Sequence, residues 1–200
     1  LLLAALDRLS CRLADPVLAV APSIRRAAIE AGLVPAEKIL VPAVGSANGV
    51  DFEKFHPAKT NAASFLRRRY RIPEGAPVVG YVGRLTPDKG IAELEAAWRL
   101  LRERFPRLYL LLAGETEPHD PLPEALVSRL RFDPRVRSTG WRRDIREHYA
   151  LMDVCLLASR REGLPYAALE AAAMEKPVVG FAIDGVIDAV EHERTGLLVP

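Results

Sequence analysis

The sequence predicts an α/β fold in which a Rossmann-like parallel sheet carries helices on both faces. Short, nearly continuous apolar segments alternate with longer amphipathic segments along the 200-residue chain. Apolar runs of this kind are typical of strands that are covered on both faces, and their alternation with helices is typical of βαβ units. Hydrophobic residues make up 50% of the chain and charged residues 27%, which is the composition of a globular protein.

The predicted strands are short apolar runs, and the predicted helices show apolar residues at 3- and 4-residue spacing. A proline at position 106 ends the longest helix, because proline cannot continue a helix. The strands are expected at residues 17–20, 38–41, 77–82, 108–113, 136–138, 153–157, 177–181 and 196–199, and the helices at 24–31, 91–105, 122–131, 144–152 and 166–174.

Charge and cysteine content exclude several classes of protein. The formal net charge of +2 is too small for a general nucleic-acid binder, which needs a dense basic face. Two cysteines, Cys11 and Cys155, cannot form a disulfide framework or a thiolate metal site, and they indicate a reducing compartment. The four histidines show no metal-ligand spacing, so no metal site is predicted. No apolar run reaches the roughly 20 residues of a membrane-spanning helix.

The alternation of strands and helices is interrupted by a stretch with little helical periodicity that contains the turn pair Asn48-Gly49. A domain junction is expected there. Residues 1–46 would end one domain, residues 47–57 would form a linker, and residues 58–200 would form a second domain. Because the first residue is not Met and the last strand has nothing after it, the chain is expected to be a piece of a longer protein.

The first loop with candidate chemistry is residues 83–90, directly after a predicted strand. Arg84 offers a planar fork of donors, and Lys89 places a mobile positive charge at the start of the next helix. Two cations beside a helix N-terminus form an anion site that suits a diphosphate. The alternative is a solvated turn with two surface cations. The loop lacks the residue order of a P-loop.

The second loop, residues 159–165, contains Glu162, Gly163 and Leu164, and Glu170 follows inside the next helix. The glycine permits a close approach of the backbone, so that the amides of this loop could face a ligand. A carboxylate inside an apolar helix needs a partner if it is buried, and it could accept hydrogen bonds from ligand hydroxyls. The alternatives are a helix cap and a surface residue, or a pair of glycosidase carboxylates.

Two further loops lie at the same predicted edge of the sheet. Trp141 and Arg142 could form the wall of a slot that binds a nucleotide base, although a plain loop in which Asp144 caps the following helix is an equal alternative. Asp184 and Gly185 follow another strand. The carboxyl ends of parallel strands meet at one edge, so these loops are expected to surround a common pocket.

Together these segments resemble the C-terminal, donor-binding half of a retaining glycosyltransferase of the GT-B type, in the bacterial group 1 family. The resemblance covers nearly the whole chain and depends on the order and spacing of its motifs. Two variants, at 45–51 and 161–165, are most similar to enzymes of surface polysaccharide or lipopolysaccharide synthesis. The motifs are Asn-Gly-Val-Asp-Phe-Glu-Lys-Phe-His-Pro at 48–57, the loop 83–90, the Glu162…Glu170 pair, Glu-Lys-Pro-Val-Val-Gly at 175–180, and Gly-Leu-Leu-Val-Pro at 196–200.

The resemblance implies one half of a GT-B fold, together with the tail of the N-terminal domain, and a transfer of a hexosyl-type sugar. The donor would be a UDP- or GDP-linked sugar, and the acceptor a glycan or a lipid-linked glycan. The implied roles are diphosphate binding for Arg84 and Lys89, backbone donation by Gly163 and Leu164, contact with the transferred sugar by the candidate catalytic residue Glu162, and ribose binding by Glu170.

The resemblance further implies a cytoplasmic enzyme without a metal cofactor, in contact with the inner face of the cytoplasmic membrane. The run Arg67-Arg68-Arg69 could touch anionic lipid, although a solvated helix face is favoured. Asp184-Gly185 stands where many relatives carry Gly-Gly, which puts one donor contact in doubt. The alternatives to a transferase are a nucleotide-sugar 2-epimerase of the same fold and a nucleotide-binding module without catalysis.

Overall fold

A computed structural model describes residues 2–45, 48–59 and 63–200 of the chain. Their strands are all paired in parallel, in one sheet of two strands and one of six. The strands are β1 (Val17–Leu18), β2 (Ile39–Leu40), β3 (Val78–Val82), β4 (Tyr109–Ala113), β5 (Val136–Ser138), β6 (Val154–Leu157), β7 (Val178–Phe181) and β8 (Gly196–Val199).

The helices alternate with the strands of the larger sheet, and two short 3-10 turns, Pro57–Lys59 and Pro87–Lys89, precede helices. The helices are α1 (Leu2–Leu13), α2 (Pro22–Glu30), α3 (Ala63–Arg69), α4 (Ile91–Arg104), α5 (Glu124–Phe132), α6 (Arg146–Leu151), α7 (Tyr166–Ala173) and α8 (Val186–Ala189).

The larger sheet has the strand order β5-β4-β3-β6-β7-β8. The chain runs outward from β3 in one direction, then returns to β6 and runs outward in the other. This is the doubly wound arrangement of nucleotide-binding folds, in which ligands bind at the point where the strand order reverses. Here that point lies between the carboxyl ends of β3 and β6.

Two apolar layers cover the two faces of this sheet. On β3, Val78 belongs to the layer beneath α6 and α7, whereas Tyr81 belongs to the layer beneath α4 and α5. Gly80 lies on the first of these faces, where a Cβ atom would stand 2.1 Å from the Met152 sulfur. Close packing therefore requires a residue without a side chain in the middle of this strand.

The structure confirms the predicted fold class and contains every predicted strand, with ends that differ by at most two residues. All predicted helices are present, again with shifted ends. Helices α1 and α8 were not predicted, and α3 was expected only as the helix that carries Arg67-Arg68-Arg69, without bounds. Arg68 and Arg69 are exposed, as expected for a solvated helix face, whereas Arg67 is half-buried and donates to the carbonyl oxygen of Ala76 at 2.9 Å.

The N-terminal segment is tied to the far end of the chain. The backbone amide of Ser23 donates to Asp188 Oδ2 at 3.0 Å, and the Ser23 hydroxyl also donates to this carboxylate. The amide of Gly185 in turn donates to Ser23 Oγ at 2.7 Å. Residues 46 and 47, where the predicted linker begins, and residues 60–62, just after its predicted end, lie outside the described residues. The division into two domains stays a prediction.

Candidate functional site

The loop after β3 is held in place by hydrogen bonds and close packing. The Tyr81 hydroxyl donates to the carbonyl oxygen of Arg84 at 2.7 Å, and the Thr86 hydroxyl donates to Asp88 at 2.5 Å. The loop ends at Gly90, which has a φ of +67° and whose Cβ position lies 1.7 Å from the carbonyl oxygen of Ala158. Position 90 requires glycine, because a Cβ atom would collide with this carbonyl oxygen and the positive φ disfavours other residues. The loops after β3 and β6 are therefore in direct contact at this point.

An ion pair joins these two loops across the switch point. Lys89 Nζ lies 2.8 Å from Glu162 Oε1, and the two side chains are 19% and 12% exposed. Glu162 therefore does not cap α7; the residue before this helix is Pro165, and no side-chain cap is present there. The structure brings together a cation and a carboxylate that are far apart in the sequence.

Arg84 lies on the solvent side of the same loop, with its side chain 52% exposed. Its Nη1 atom donates to Glu117 Oε2 at 3.0 Å, and its Nη2 atom is 3.7 Å from Asp88 Oδ2. The pKa of Asp88 is lowered, chiefly by the hydrogen bond from Thr86 and further by the nearby cations. Carboxylates therefore surround the Arg84 guanidinium at the position where an anionic ligand would be expected.

Two open clefts meet at Arg84. One, of about 230 Å³, is lined by Arg84, Lys89 and Glu162. The other, of about 420 Å³, is lined by Arg84, Trp141 and Arg142. The first cleft has the charges to hold a diphosphate and the second has an aromatic wall, with the Trp141 side chain largely exposed. A cation that lines both clefts suits a ligand that extends from one into the other.

Glu170 occupies a different environment from Glu162. It is half-buried on α7 and does not line either of the two clefts. The Tyr149 hydroxyl donates to its Oε2 atom at 2.9 Å. Burial raises the pKa of Glu170 above its usual range, although the hydrogen bond from Tyr149 and the charge of Lys54 oppose this shift. It is not the surface residue that the sequence alone also allowed.

The loop that contains Gly163 and Leu164 is packed against the loop after β7. A Cβ atom on Gly185 would stand 2.4 Å from the Gly163 carbonyl oxygen, and Gly185 has a φ of +79°. Gly163 is exposed and Leu164 is half-buried, and neither lines the two clefts. The side chain of Asp184 is paired with Arg26 at 3.7 Å.

The loop before α6 contains the hydrogen bond that the capping alternative predicts for Asp144. Asp144 accepts a hydrogen bond from the backbone amide of Arg146 at 3.2 Å and pairs with the Arg146 guanidinium. The residue directly before α6 is Ile145, which has a helical backbone and makes no side-chain cap. The Asp144 carboxylate accepts from the amide two residues on, as a capping side chain does, and it also pairs with the Arg146 guanidinium.

The described residues contain no group of three or more His, Cys, Asp or Glu side chains that could hold a metal ion. Both cysteines are free thiols, with Cys11 half-buried and Cys155 buried. Within the described ranges, no helix is long and apolar enough to cross a membrane.

Three polar residues of this region were not found by sequence reasoning. Tyr149 lies in an ordinary amphipathic helix, Glu117 in a loop without a motif, and Ser23 near the other end of the chain. Their partners are distant in the sequence, so local pattern carries no signal for them. The resemblance to a family could have indicated them only through an alignment of relatives.

A doubly wound sheet with cations and a carboxylate at the switch point, and an aromatic wall in the neighbouring cleft, is typical of nucleotide-binding proteins. The family model described as glycosyl transferases group 1 matches residues 76–200. The chain belongs to this family.

Similar proteins agree with this assignment. The chain is 29% identical over 194 residues to the capsular polysaccharide biosynthesis glycosyltransferase CapM of Staphylococcus aureus, covering 97% of this chain and 50% of that protein. It is 32% identical over 191 residues to a GDP-mannose-dependent alpha-mannosyltransferase of Mycobacterium tuberculosis, covering 94% and 45%. The chain therefore spans about half the length of the curated relatives it matches.

The fold also matches solved structures of glycosyltransferases. Anabaena Alr3699/HepE in complex with UDP and glucose superposes with a TM-score of 0.79 at 26% identity, covering 98% of this chain and 52% of that one. The lipopolysaccharide glycosyltransferase WaaG, at 19% identity and a TM-score of 0.74, supports the fold. The sheet described above is thus that of a GT-B glycosyltransferase.

Proposed function

We propose that this chain binds a UDP- or GDP-linked sugar and that the whole protein transfers the sugar, with retention of anomeric configuration, to a glycan or a lipid-linked acceptor. The observation that carries the proposal is the convergence of Arg84, Lys89 and Glu162 in one cleft at the switch point. The cleft beside it, with Trp141, would take the base.

The charges of the site suit the chemistry of glycosyl transfer. As the bond to the sugar breaks, negative charge grows on the leaving nucleoside diphosphate, and fixed cations stabilise it. Arg84 and Lys89 are the cations that line the cleft. When a diphosphate binds, Lys89 would share its charge between this ligand and Glu162, whose second oxygen could accept a hydrogen bond from the transferred sugar.

The nucleoside end would be held by other groups. Glu170 would accept hydrogen bonds from the ribose, and the amides of Gly163 and Leu164 would donate near the phosphate and the sugar. These groups need no metal ion, and we propose transfer without one. Solved relatives that contain UDP or UDP-glucose, and a relative named for GDP-mannose, support the choice of donor class.

The proposals for the acceptor and for the pathway depend on the named functions of similar proteins. The named functions of CapM and WaaG support a role in surface polysaccharide or lipopolysaccharide synthesis. Group 1 enzymes react in a cleft between two domains, so we infer that these 200 residues alone bind a donor weakly and do not catalyse transfer. Contact with the inner face of the cytoplasmic membrane stays a prediction.

The proposal is tested by ligand binding and by product analysis. A donor that binds the folded state raises the thermal midpoint of unfolding, so UDP-glucose, GDP-mannose and a set of other nucleotide sugars are compared by thermal shift. The best donor is then incubated with the full-length protein and an acceptor extract. A new glycosidic bond supports the proposal, an epimerised sugar indicates the epimerase, and neither product indicates a binding module.

The separate roles of the two carboxylates are tested with Glu162→Gln and Glu170→Gln. The first is expected to weaken the sugar nucleotide by about tenfold relative to the free nucleoside diphosphate, since it removes a contact with the sugar, whereas release of Lys89 should leave the free nucleoside diphosphate bound at least as tightly as before. The second is expected to weaken both nucleotides equally while leaving inorganic pyrophosphate unchanged, because pyrophosphate has no ribose. Calorimetry that finds the same pattern for both variants contradicts the assignment.

A further inference from the structure

Tyr149 lies outside the motifs of the site, yet it contacts one of the site's carboxylates. Its side chain is fully buried on α6, and its hydroxyl donates to Glu170 Oε2 on α7 at 2.9 Å. The same hydroxyl is 3.3 Å from the carbonyl oxygen of Ala167. Because a hydroxyl has one proton to donate, the shorter distance and the charge of the acceptor favour Glu170.

The position of the Tyr149 ring is fixed by its surroundings. The ring of Phe55 packs edge-on against it, with centroids 6.3 Å apart and an angle of 65° between the planes. Cys155 and Met152 belong to the same buried layer. A buried aromatic side chain in close packing has few alternative rotamers, so its hydroxyl is a donor at a fixed point.

The Tyr149 hydroxyl is one of the groups that affect the protonation state of the Glu170 carboxyl. Burial raises the pKa of the Glu170 carboxyl, and the hydrogen bond from Tyr149 lowers it again. Lys54, in the segment before the first 3-10 turn, also favours the charged form. On β6, the pKa of the Cys155 thiol is raised to about 12 by burial, and burial also raises the pKa of Tyr149. Both groups are thus neutral near neutral pH, and Lys54 is the charged neighbour.

We propose that Tyr149 is a positioning residue for donor recognition, which holds Oε2 of Glu170 so that Oε1 is oriented for a ribose hydroxyl. This inference rests on the proposed function, because it requires that Glu170 binds the ribose. One oxygen of the carboxylate is engaged by the protein and the other accepts from the ligand. Tyr149 therefore acts through Glu170 and does not contact the nucleotide.

The test compares Tyr149→Phe with Glu170→Gln and with a matched control, Tyr70→Phe. The control also removes a tyrosine hydroxyl that is bonded to a side chain of α6, since Tyr70 Oη lies 2.9 Å from His148 Nε2. Calorimetry on the full chain measures the affinity for UDP, for GDP and for inorganic pyrophosphate. Tyr149→Phe is expected to weaken the tighter nucleotide by about five- to tenfold and to leave pyrophosphate unchanged.

Two additional readouts separate positioning from mere packing. In the Glu170→Gln background, Tyr149→Phe is expected to cause no further loss of nucleotide affinity, because both changes remove the same interaction. The second readout is the pH dependence of nucleotide binding, which Tyr149→Phe should change. Nucleotide binding requires the Glu170 carboxylate and is lost as the pH falls through its pKa. Removing a donor that lowers this pKa should shift the loss to a higher pH.

The outcomes distinguish this proposal from the proposed function. Weakened UDP or GDP binding in Glu170→Gln with wild-type binding in Tyr149→Phe overturns the positioning role and leaves the ribose role intact. Equal losses for pyrophosphate, or the same loss in Tyr70→Phe, show a purely structural effect and also overturn it. If Glu170→Gln binds the nucleotide like the wild type, the ribose role is wrong and the positioning role is overturned with it.

Discussion

Glu162 and Glu170 are the same residue type with seven residues between them, yet their side chains have different bonded partners in the structure. Glu162 precedes α7 and forms a largely buried ion pair with Lys89. Glu170 lies within α7 and receives a hydrogen bond from the neutral phenol of Tyr149. Glu162 is thus bonded to a cation, whereas Glu170 is bonded to a neutral group and has the charge of Lys54 nearby.

This difference divides the site into two ends with different physical properties. The end with Arg84, Lys89 and Glu162 is a set of ion pairs at the rim, where a bound anion must displace or share carboxylate partners. Binding there should weaken with added salt, because ions screen exposed charges. The end with Glu170 depends on the protonation state of a half-buried carboxylate whose pKa is raised by burial, so it should respond to pH more than to salt.

The largest effect is expected for Lys89→Ala. It leaves Glu162 charged and largely buried without its partner, which should lower the free energy of unfolding by about 3 kcal/mol, at the low end for a buried pair because both side chains keep some contact with water. Chemical denaturation measures this change. The same variant should lose measurable binding of UDP and GDP.

A second substitution checks the cause of that loss. In the double variant Lys89→Ala/Glu162→Gln no unpaired carboxylate remains, so part of the stability should return, whereas nucleotide binding should not. A double variant as unstable as Lys89→Ala would show that the ion pair is not what the mutation damages, and the contrast between the two glutamates would lose its basis.

Arg84→Ala is expected to have the next largest effect, on binding rather than on stability. Its pairs are exposed, and exposed ion pairs contribute little to folding. Loss of a charged hydrogen bond to the diphosphate should weaken UDP and pyrophosphate alike by about 2 kcal/mol, or roughly thirtyfold. Calorimetry at two salt concentrations should also show a smaller salt dependence than in the wild type.

The control for this variant is Arg104→Ala, which removes an exposed arginine from the last turn of α4, at the end of the helix opposite the site. It should leave nucleotide affinity unchanged. If both arginine variants weaken binding equally, the effect comes from the overall charge of the chain, and Arg84 does not belong to the diphosphate site.

The smallest effect is expected for Glu117→Gln, and it has the opposite sign. Glu117 pairs with Arg84 at 3.0 Å, so under the proposed function it would compete with an incoming diphosphate for the same guanidinium. Removing its charge should tighten UDP binding by about 0.5 kcal/mol, or roughly twofold, as for an exposed ion pair. Unchanged or weaker binding in calorimetry would mean that Glu117 does not compete and instead supports the bound form of Arg84.

Much of the fold could be predicted from the sequence because its signals are local. The apolar runs of β3 and β4 and the helical spacing in α4 were sufficient to predict their places. The helix α1 was not predicted, since no pattern distinguished its apolar start from the beginning of another element. The helix α8 has four residues, which is too short for a recognisable period.

The residues of the candidate site also fall into two groups, those with a local sequence signal and those without one. Arg84, Lys89, Glu162 and Glu170 were singled out by residue type, by position after a strand and by resemblance to a family. Their partners were not, because Glu117, Tyr149 and the contact between Ser23 and Asp188 depend on distances between segments remote in the chain. A pattern within one segment does not contain such distances.

The amino-acid order by itself determined which loops follow strands and which charged residues those loops carry, since hydrophobic periodicity and side-chain chemistry are local properties of the sequence. The tertiary structure decided which charges meet, how deeply each is buried and therefore which carboxylate is paired with a cation. Those properties arise from the packing of β3 against β6 and of α6 against α7, because electrostatic energy depends on separation in space and on access to water.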